Sequence, residues 1–210
     1  MLAEELQPLL SKIFFSEYIS ERDVLVARDE RLAHYTNADA ALKIINSKEM
    51  WLRKSATMND FLEIAHGKES LSEAYERQAS GKKLKVALEK RWPGTCDFVG
   101  DWFETHFAEL ENNTYIACFS KHRSHSSEGQ FGRLSMWRAY GGDAGVAFIL
   151  KSTPFVSESD ALKLYSHPVM YGDYTLVASH LAMLAHNIDE NFDRLRDVAR
   201  DDALAYLYWK

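Results

Sequence analysis

Residues 32–47, Leu-Ala-His-Tyr-Thr-Asn-Ala-Asp-Ala-Ala-Leu-Lys-Ile-Ile-Asn-Ser, decide how the rest of the chain reads. A short apolar strand, Leu32-Ala33-His34-Tyr35-Thr36, runs straight into a helix start. Thr36-Asn37-Ala38-Asp39 has the form of a capping box, with the Thr36 hydroxyl accepting an N–H three residues on and Asp39 reaching back. Ala38, Ala41, Leu42 and Ile45 then recur at helical spacing. His34 and Tyr35 therefore fall where a strand meets a helix N-terminus, whose free N–H groups and dipole favour an anion. An imidazole, a phenol and a hydroxyl beside such a terminus suit a phosphate-containing ligand. The competing expectation is a core histidine hydrogen-bonded within its strand.

Working outward, the N-terminal residues 1–31 read as a helical extension. Leu2, Leu6, Leu9 or Leu10, and Ile13 form a short amphipathic helix, followed by a charged stretch from Glu21 to Arg31. After the opening strand and helix come a short strand at 50–52 and a polar helical region over 60–91. Trp92-Pro93-Gly94 stops that region, because proline biases the residue before it away from helix. A second helix is predicted over Asp97–Leu110. The strand signal at Thr114–Ser120 is rich in β-branched and aromatic residues. A polar loop from Lys121 to Leu134 leads to one or two helical turns at Ser135–Tyr140, closed by Gly141-Gly142.

Gly145–Leu150 is a continuous apolar run of strand length, predicted as a buried strand. Further short strands are expected at Leu162–Tyr165 and Val169–Tyr171. Val177, Leu181, Leu184, Ile188, Phe192 and Leu195 step by three or four and predict one long helix from Leu176. The expected fold is α+β: a single domain over residues 32–210, with a mixed sheet covered by helices and a long C-terminal helix.

Composition narrows the class of protein. In 210 residues, 46% hydrophobic and 27% charged side chains describe an ordinary globular chain with one sizeable core. A net charge of −6 argues against coating nucleic acid as the main task. Cys96 and Cys118 show no CxxC spacing, so reduced thiols are the default. No run approaches the roughly 18 apolar residues of a membrane helix, and residues 1–11 lack a signal peptide's basic start. The expectation is a cytoplasmic protein without a membrane partner. The end of the chain, Ala203–Lys210 (ALAYLYWK), is apolar and aromatic. That pattern predicts self-association, or weak stability, through the C-terminus.

Several clusters carry residue types with chemistry. Ser135-Met136-Trp137-Arg138-Ala139-Tyr140 offers Trp137 and Tyr140 for stacking on a heteroaromatic base and Arg138 for forking onto phosphate. The same rings could equally fill core, with Arg138 snorkelling to water. Asp60 and Glu63 in Met58–Glu63 place two carboxylates on one helical face, fit either for a divalent ion or for capping a helix start. His122, His125 and Glu128 have a loose ligand spacing, but in a Ser/Gly-rich loop with no rigid frame no metal site is predicted from them. No P-loop, G-x-G-x-x-G or G-x-S-x-G motif occurs.

Four blocks in order, LAHYTNADAALKIINSKEMWL (32–52), MNDFLE (58–63), ACFS with SMWRAYGGDAGVAF (within 117–148) and VMYG (169–172), resemble a large bacterial family of domains of unknown function. Members of that family continue with an F-x-x-E-x-E-x-R-like segment after the long helix. The resemblance therefore implies that this chain is a fragment, cut before a final strand. More remotely, HYT followed by a helix and a short strand resembles the opening of ADP-ribosyltransferase-like folds. In those folds a first-strand histidine holds the NAD ribose, an aromatic ring stacks on nicotinamide and a later glutamate acts on the ribose. Carried over, His34 takes the first role with Thr36 beside it, and Trp137 or Tyr140 takes the stacking role. For the glutamate, Glu128 falls in a loop and offers no convincing match.

Three functions follow as expectations. The favoured one is a pocket for a nucleotide-like small molecule, with NAD as the cofactor, made by His34, Tyr35, Thr36, Trp137, Arg138 and Tyr140. Longer relatives would then be transferases of ADP-ribose. The second is a metal-dependent hydrolase or nuclease using Asp60 and Glu63, with His122 or His125. The third is a non-catalytic protein-recognition module.

Overall fold

The computed structural model describes residues 3–55, 61–123, 126–156 and 165–209, and the side chains of 6–55, 65–123, 126–156 and 165–207 within them. The fold is α+β, with small antiparallel sheets among many helices. In chain order the elements begin with α1 (Ala3–Phe14), α2 (Ser16–Ala27), β1 (Arg31–Asn37) and α3 (Ala38–Ser47). Next come β2 (Arg53–Lys54), α4 (Phe61–Ser72), a π-helical turn (Glu73–Arg77), α5 (Ala79–Arg91) and α6 (Thr95–Asn113). Then follow β3 (Tyr115–Ile116), β4 (Ser120–His122), α7 (Ser127–Phe131), α8 (Leu134–Tyr140) and β5 (Gly145–Lys151). The chain closes with α9 (Thr153–Val156), α10 (Tyr174–Glu190) and α11 (Arg200–Trp209). Among the described residues no helix is long and apolar enough to cross a membrane.

The chain forms two compact units, each assembled from separated segments. The first comprises residues 1–19, 54–114 and 168–210, and the second residues 20–53 and 115–167. The first unit is helical and holds the main hydrophobic core. Leu9, Leu10 and Ile13 of α1 meet Leu84, Ala87 and Leu88 of α5, Ala185 and Ile188 of α10, and Leu195, Val198 and Ala203. Leu10, Ile13, Ile188 and Leu195 are essentially without exposure. Burying each such side chain contributes about 1.5–3 kcal/mol. α5 starts very close to the π turn. A Cβ on Gly81 would lie 2.1 Å from the Tyr75 carbonyl oxygen, so only glycine permits that approach. Burial pushes both the Tyr75 phenol and the neighbouring Cys96 thiol above their ordinary ranges. Glu89 accepts the Cys96 and Gly94 N–H groups at the start of α6 (2.7 and 2.8 Å), and those two bonds hold its carboxyl below the usual range.

The tail of the chain is docked within this unit. Tyr206 of α11 hydrogen-bonds Ser11 and sets its ring edge-on to Phe15, centroids 6.2 Å apart. α11 packs on α1. The long helix differs from expectation. It starts at Tyr174, with Asp173 accepting the Thr175 N–H at 2.9 Å, and it ends at Glu190. Leu195 is buried from a turn beyond it.

The second unit is built on a three-stranded sheet in the order β4-β1-β5, antiparallel at both pairings where a mixed sheet was expected. β1 is the central strand, and its register with β5 pairs His34 with Phe148, Tyr35 with Ala147 and Thr36 with Val146. Four strand expectations are not met. Gly145–Leu150 is not a buried strand, because β5 is an edge strand whose residues are half-buried or exposed. The strand signal over 114–120 splits into β3 and β4, with Ala117–Phe119 between them outside any ladder. Residues 50–52 lie before β2, and Val169–Tyr171 form no strand. The strand expected at 162–165 falls mostly outside the described residues.

Candidate functional site

The junction of β1 and α3 forms as a strand running directly into a helix, but Asn37 is the cap, not Thr36. The Asn37 side chain accepts the Ala40 N–H at 2.8 Å from an extended backbone (φ −81°, ψ 164°). The Ala38 N–H is donated to the Ala144 carbonyl at 2.8 Å. Two of the N–H groups that would greet an anion are therefore already bonded.

Period-two alternation puts Leu32, His34 and Thr36 on one face of β1, and Ala33 and Tyr35 on the other. The sheet thus separates the six residues that the sequence grouped together. On the first face His34 is half-buried, and its Nδ1 lies 3.1 Å from the Cys118 carbonyl oxygen. A carbonyl only accepts, so Nδ1 carries the proton and the neutral ring presents Nε2 as an acceptor. The Phe119 ring lies beside the imidazole (centroids 5.3 Å, planes 44° apart) and against Phe155 (4.6 Å). Phe148, paired with His34 across the ladder, shares that face. Thr36 is two residues along, half-buried.

On the opposite face Tyr35 is buried, at 7% exposure, and its hydroxyl accepts the Arg133 N–H at 2.8 Å. The Trp137 ring stands edge-on to it, with centroids 4.7 Å apart and planes at 84°. Trp137 donates its indole N–H to the Phe131 carbonyl at 2.8 Å. Two glycines admit that indole: a Cβ on Gly132 would meet Nε1 at 2.4 Å, and one on Gly145 would meet the ring at 2.8 Å. Tyr35 and Trp137 form an interlocked structural pair, and their polar atoms are already bonded within the fold.

Arg138 and Tyr140, on the same short helix as Trp137, are exposed. Glu128 stands in the first turn of α7 and pairs with Arg133 at 3.2 Å. Asp60 and His125 lie outside the described residues, as does the side chain of Glu63. His122 ends β4, half-buried and paired with Arg31. Among the described residues no three or more His, Cys, Asp or Glu side chains are arranged to hold a metal ion.

Phe119 is the residue that sequence reading leaves out of the site. Its signal was available: it sits in Ala-Cys-Phe-Ser, one step before β4, where continuing the register brings it opposite His34. No family model, curated protein or solved structure matches this chain.

Proposed function

We propose that the second unit binds a nucleotide-like small molecule of the NAD type on the His34 face of its sheet. One observation carries this reading: the bond from His34 Nδ1 to the Cys118 carbonyl fixes the tautomer of this half-buried ring and leaves Nε2 as an acceptor. An acceptor held in that way suits a sugar hydroxyl, and the Phe119 ring beside it offers a face for a base or nicotinamide. The Thr36 hydroxyl, on the same face, adds a second polar group. This matches the role that a first-strand histidine has in ADP-ribosyltransferase-like folds.

Calorimetric titration of the chain with NAD tests this. Saturable heat is expected, and His34→Ala should weaken binding by roughly 1–2 kcal/mol, the scale of a lost ligand hydrogen bond. Tyr35→Phe should leave binding intact while lowering stability by about 1–3 kcal/mol, because the Arg133 N–H loses its acceptor. Absence of heat at millimolar NAD, or equal binding by His34→Ala, would remove the reading.

A further inference from the structure

The sheet of the second unit has two edges of unlike character. β4 is only Ser120-Lys121-His122, and its lysine is paired with Glu21. A short, charged edge of that kind resists the addition of a further strand. β5 is longer, Gly-Val-Ala-Phe-Ile-Leu-Lys, with no proline and no charge before Lys151. Among the described residues no strand lies beyond it, and Gly145, Ile149 and Lys151 are exposed.

The ladder with β1 fixes which groups of β5 face outward. Ala38 donates to the Ala144 carbonyl, so hydrogen-bonded pairs recur at Val146, Phe148 and Leu150, opposite Thr36, His34 and Leu32. Gly145, Ala147, Ile149 and Lys151 therefore turn their N–H and C=O groups away from β1. These residues are spaced symmetrically about Phe148. An antiparallel copy of the same strand, centred there, pairs Ala147 with Ile149 and Gly145 with Lys151, in both directions. Every outward group of the strand then finds a partner, which no other antiparallel register of two copies achieves.

Side chains and charge agree with that register. Phe148 meets its own copy in a non-hydrogen-bonded pair, where side chains approach most closely, and Val146 faces Leu150. On the other face Ile149, 38% exposed, lies opposite the smaller Ala147. Asp143 is exposed in the turn before β5, and Lys151 is exposed at its far end. Antiparallel pairing sets Lys151 of one copy diagonally across from Asp143 of the other, at both ends, within reach of a long side chain. Parallel pairing would set like charges together.

We propose that this chain forms a two-fold dimer by antiparallel pairing of β5 with β5 of a second copy, centred on Phe148, joining the two sheets into one. The guarded β4 edges stay outermost, so the assembly closes at two copies. The pairing uses neither the C-terminal helix nor the nucleotide reading.

Sedimentation velocity of the full chain in low salt, from about 1 to 200 µM, is the test, a span suited to a small isologous interface. A reversible equilibrium between monomer and dimer is expected. Ile149→Pro removes one outward N–H and leaves the bonds to β1 in place, so it should weaken the dimer at least tenfold with unchanged circular dichroism. Lys151→Glu, at an exposed position, should weaken it severalfold by facing Asp143, and the Asp143→Lys/Lys151→Glu double variant should restore it. A chain that stays monomeric throughout overturns the proposal, and would leave this edge to a strand of another protein. A dimer that withstands Lys151→Glu, or that the double variant fails to restore, overturns it too, because another surface would then hold the copies together. Association that continues beyond the dimer does the same.

Discussion

At the scale of single residues, the clearest determinant in the second unit is the pair of glycines around Trp137. Gly132 has φ +77° and ψ 176°, a region that is essentially glycine-only, and a Cβ there would also press on the indole. Gly132→Ala is expected to lower stability by about 2–4 kcal/mol, the strain of that backbone added to overpacking against a ring that is already hydrogen-bonded. Urea unfolding measures this directly, and a loss under about 0.5 kcal/mol would mean that the turn can rearrange. Much of this residue-level chemistry was legible in advance. His34, Tyr35 and Trp137 stand out in the sequence as residues with work to do. Their division between two faces was implicit in the period of a strand, yet proximity in sequence suggested one pocket. What could not be read was the partner of each polar atom: the Cys118 carbonyl for His34 and the Arg133 N–H for Tyr35 come from segments about 85 and 98 residues away.

At the scale of elements, the start of α3 separates two caps that look alike in sequence. Asn37→Ala should cost about 1 kcal/mol, within the usual range of about 0.5–2 for losing a cap, whereas Thr36→Ala should cost less because Thr36 belongs to β1. Thermal unfolding of both variants decides it. If Thr36→Ala is the more damaging, the capping box of the sequence reading is restored. Helices were the more legible elements, since apolar spacing and the Trp-Pro-Gly stop mark α5 and its end well. Strands were less so. The apolar run of β5 has the composition of a buried strand, but a strand's depth depends on what lies beside it, and among the described residues nothing pairs beyond β5 in this sheet. Thr114–Ser120 has strand-forming residues throughout. Its middle leaves the ladder, and there the Cys118 carbonyl accepts from the His34 ring.

For the molecule as a whole, apolar burial is unevenly distributed, and stability should follow it. Among the described residues, the four fully enclosed large side chains, Leu10, Ile13, Ile188 and Leu195, all belong to the first unit, while the second is built on a three-stranded sheet. Native-state hydrogen exchange is expected to find the slowest amides in α10 around Ile188 and α5 around Leu88, with β5 exchanging at least tenfold faster. Equal protection in β5 would show that the sheet is covered more fully than its exposed residues indicate. The composition of the first unit also bears on how the chain is made. Leu10 leaves the ribosome about 180 residues ahead of its partners Ile188 and Leu195. At synthesis rates of about 5–20 residues per second, α1 spends roughly 10–35 seconds without those partners, with only the α5 side of its cluster already made. The second unit is fully synthesised once residue 167 is out and can form while the first still waits. A nascent chain stalled near residue 180 should therefore hold a formed sheet together with an α1 that still lacks its α10 partners, the species on which a chaperone would act.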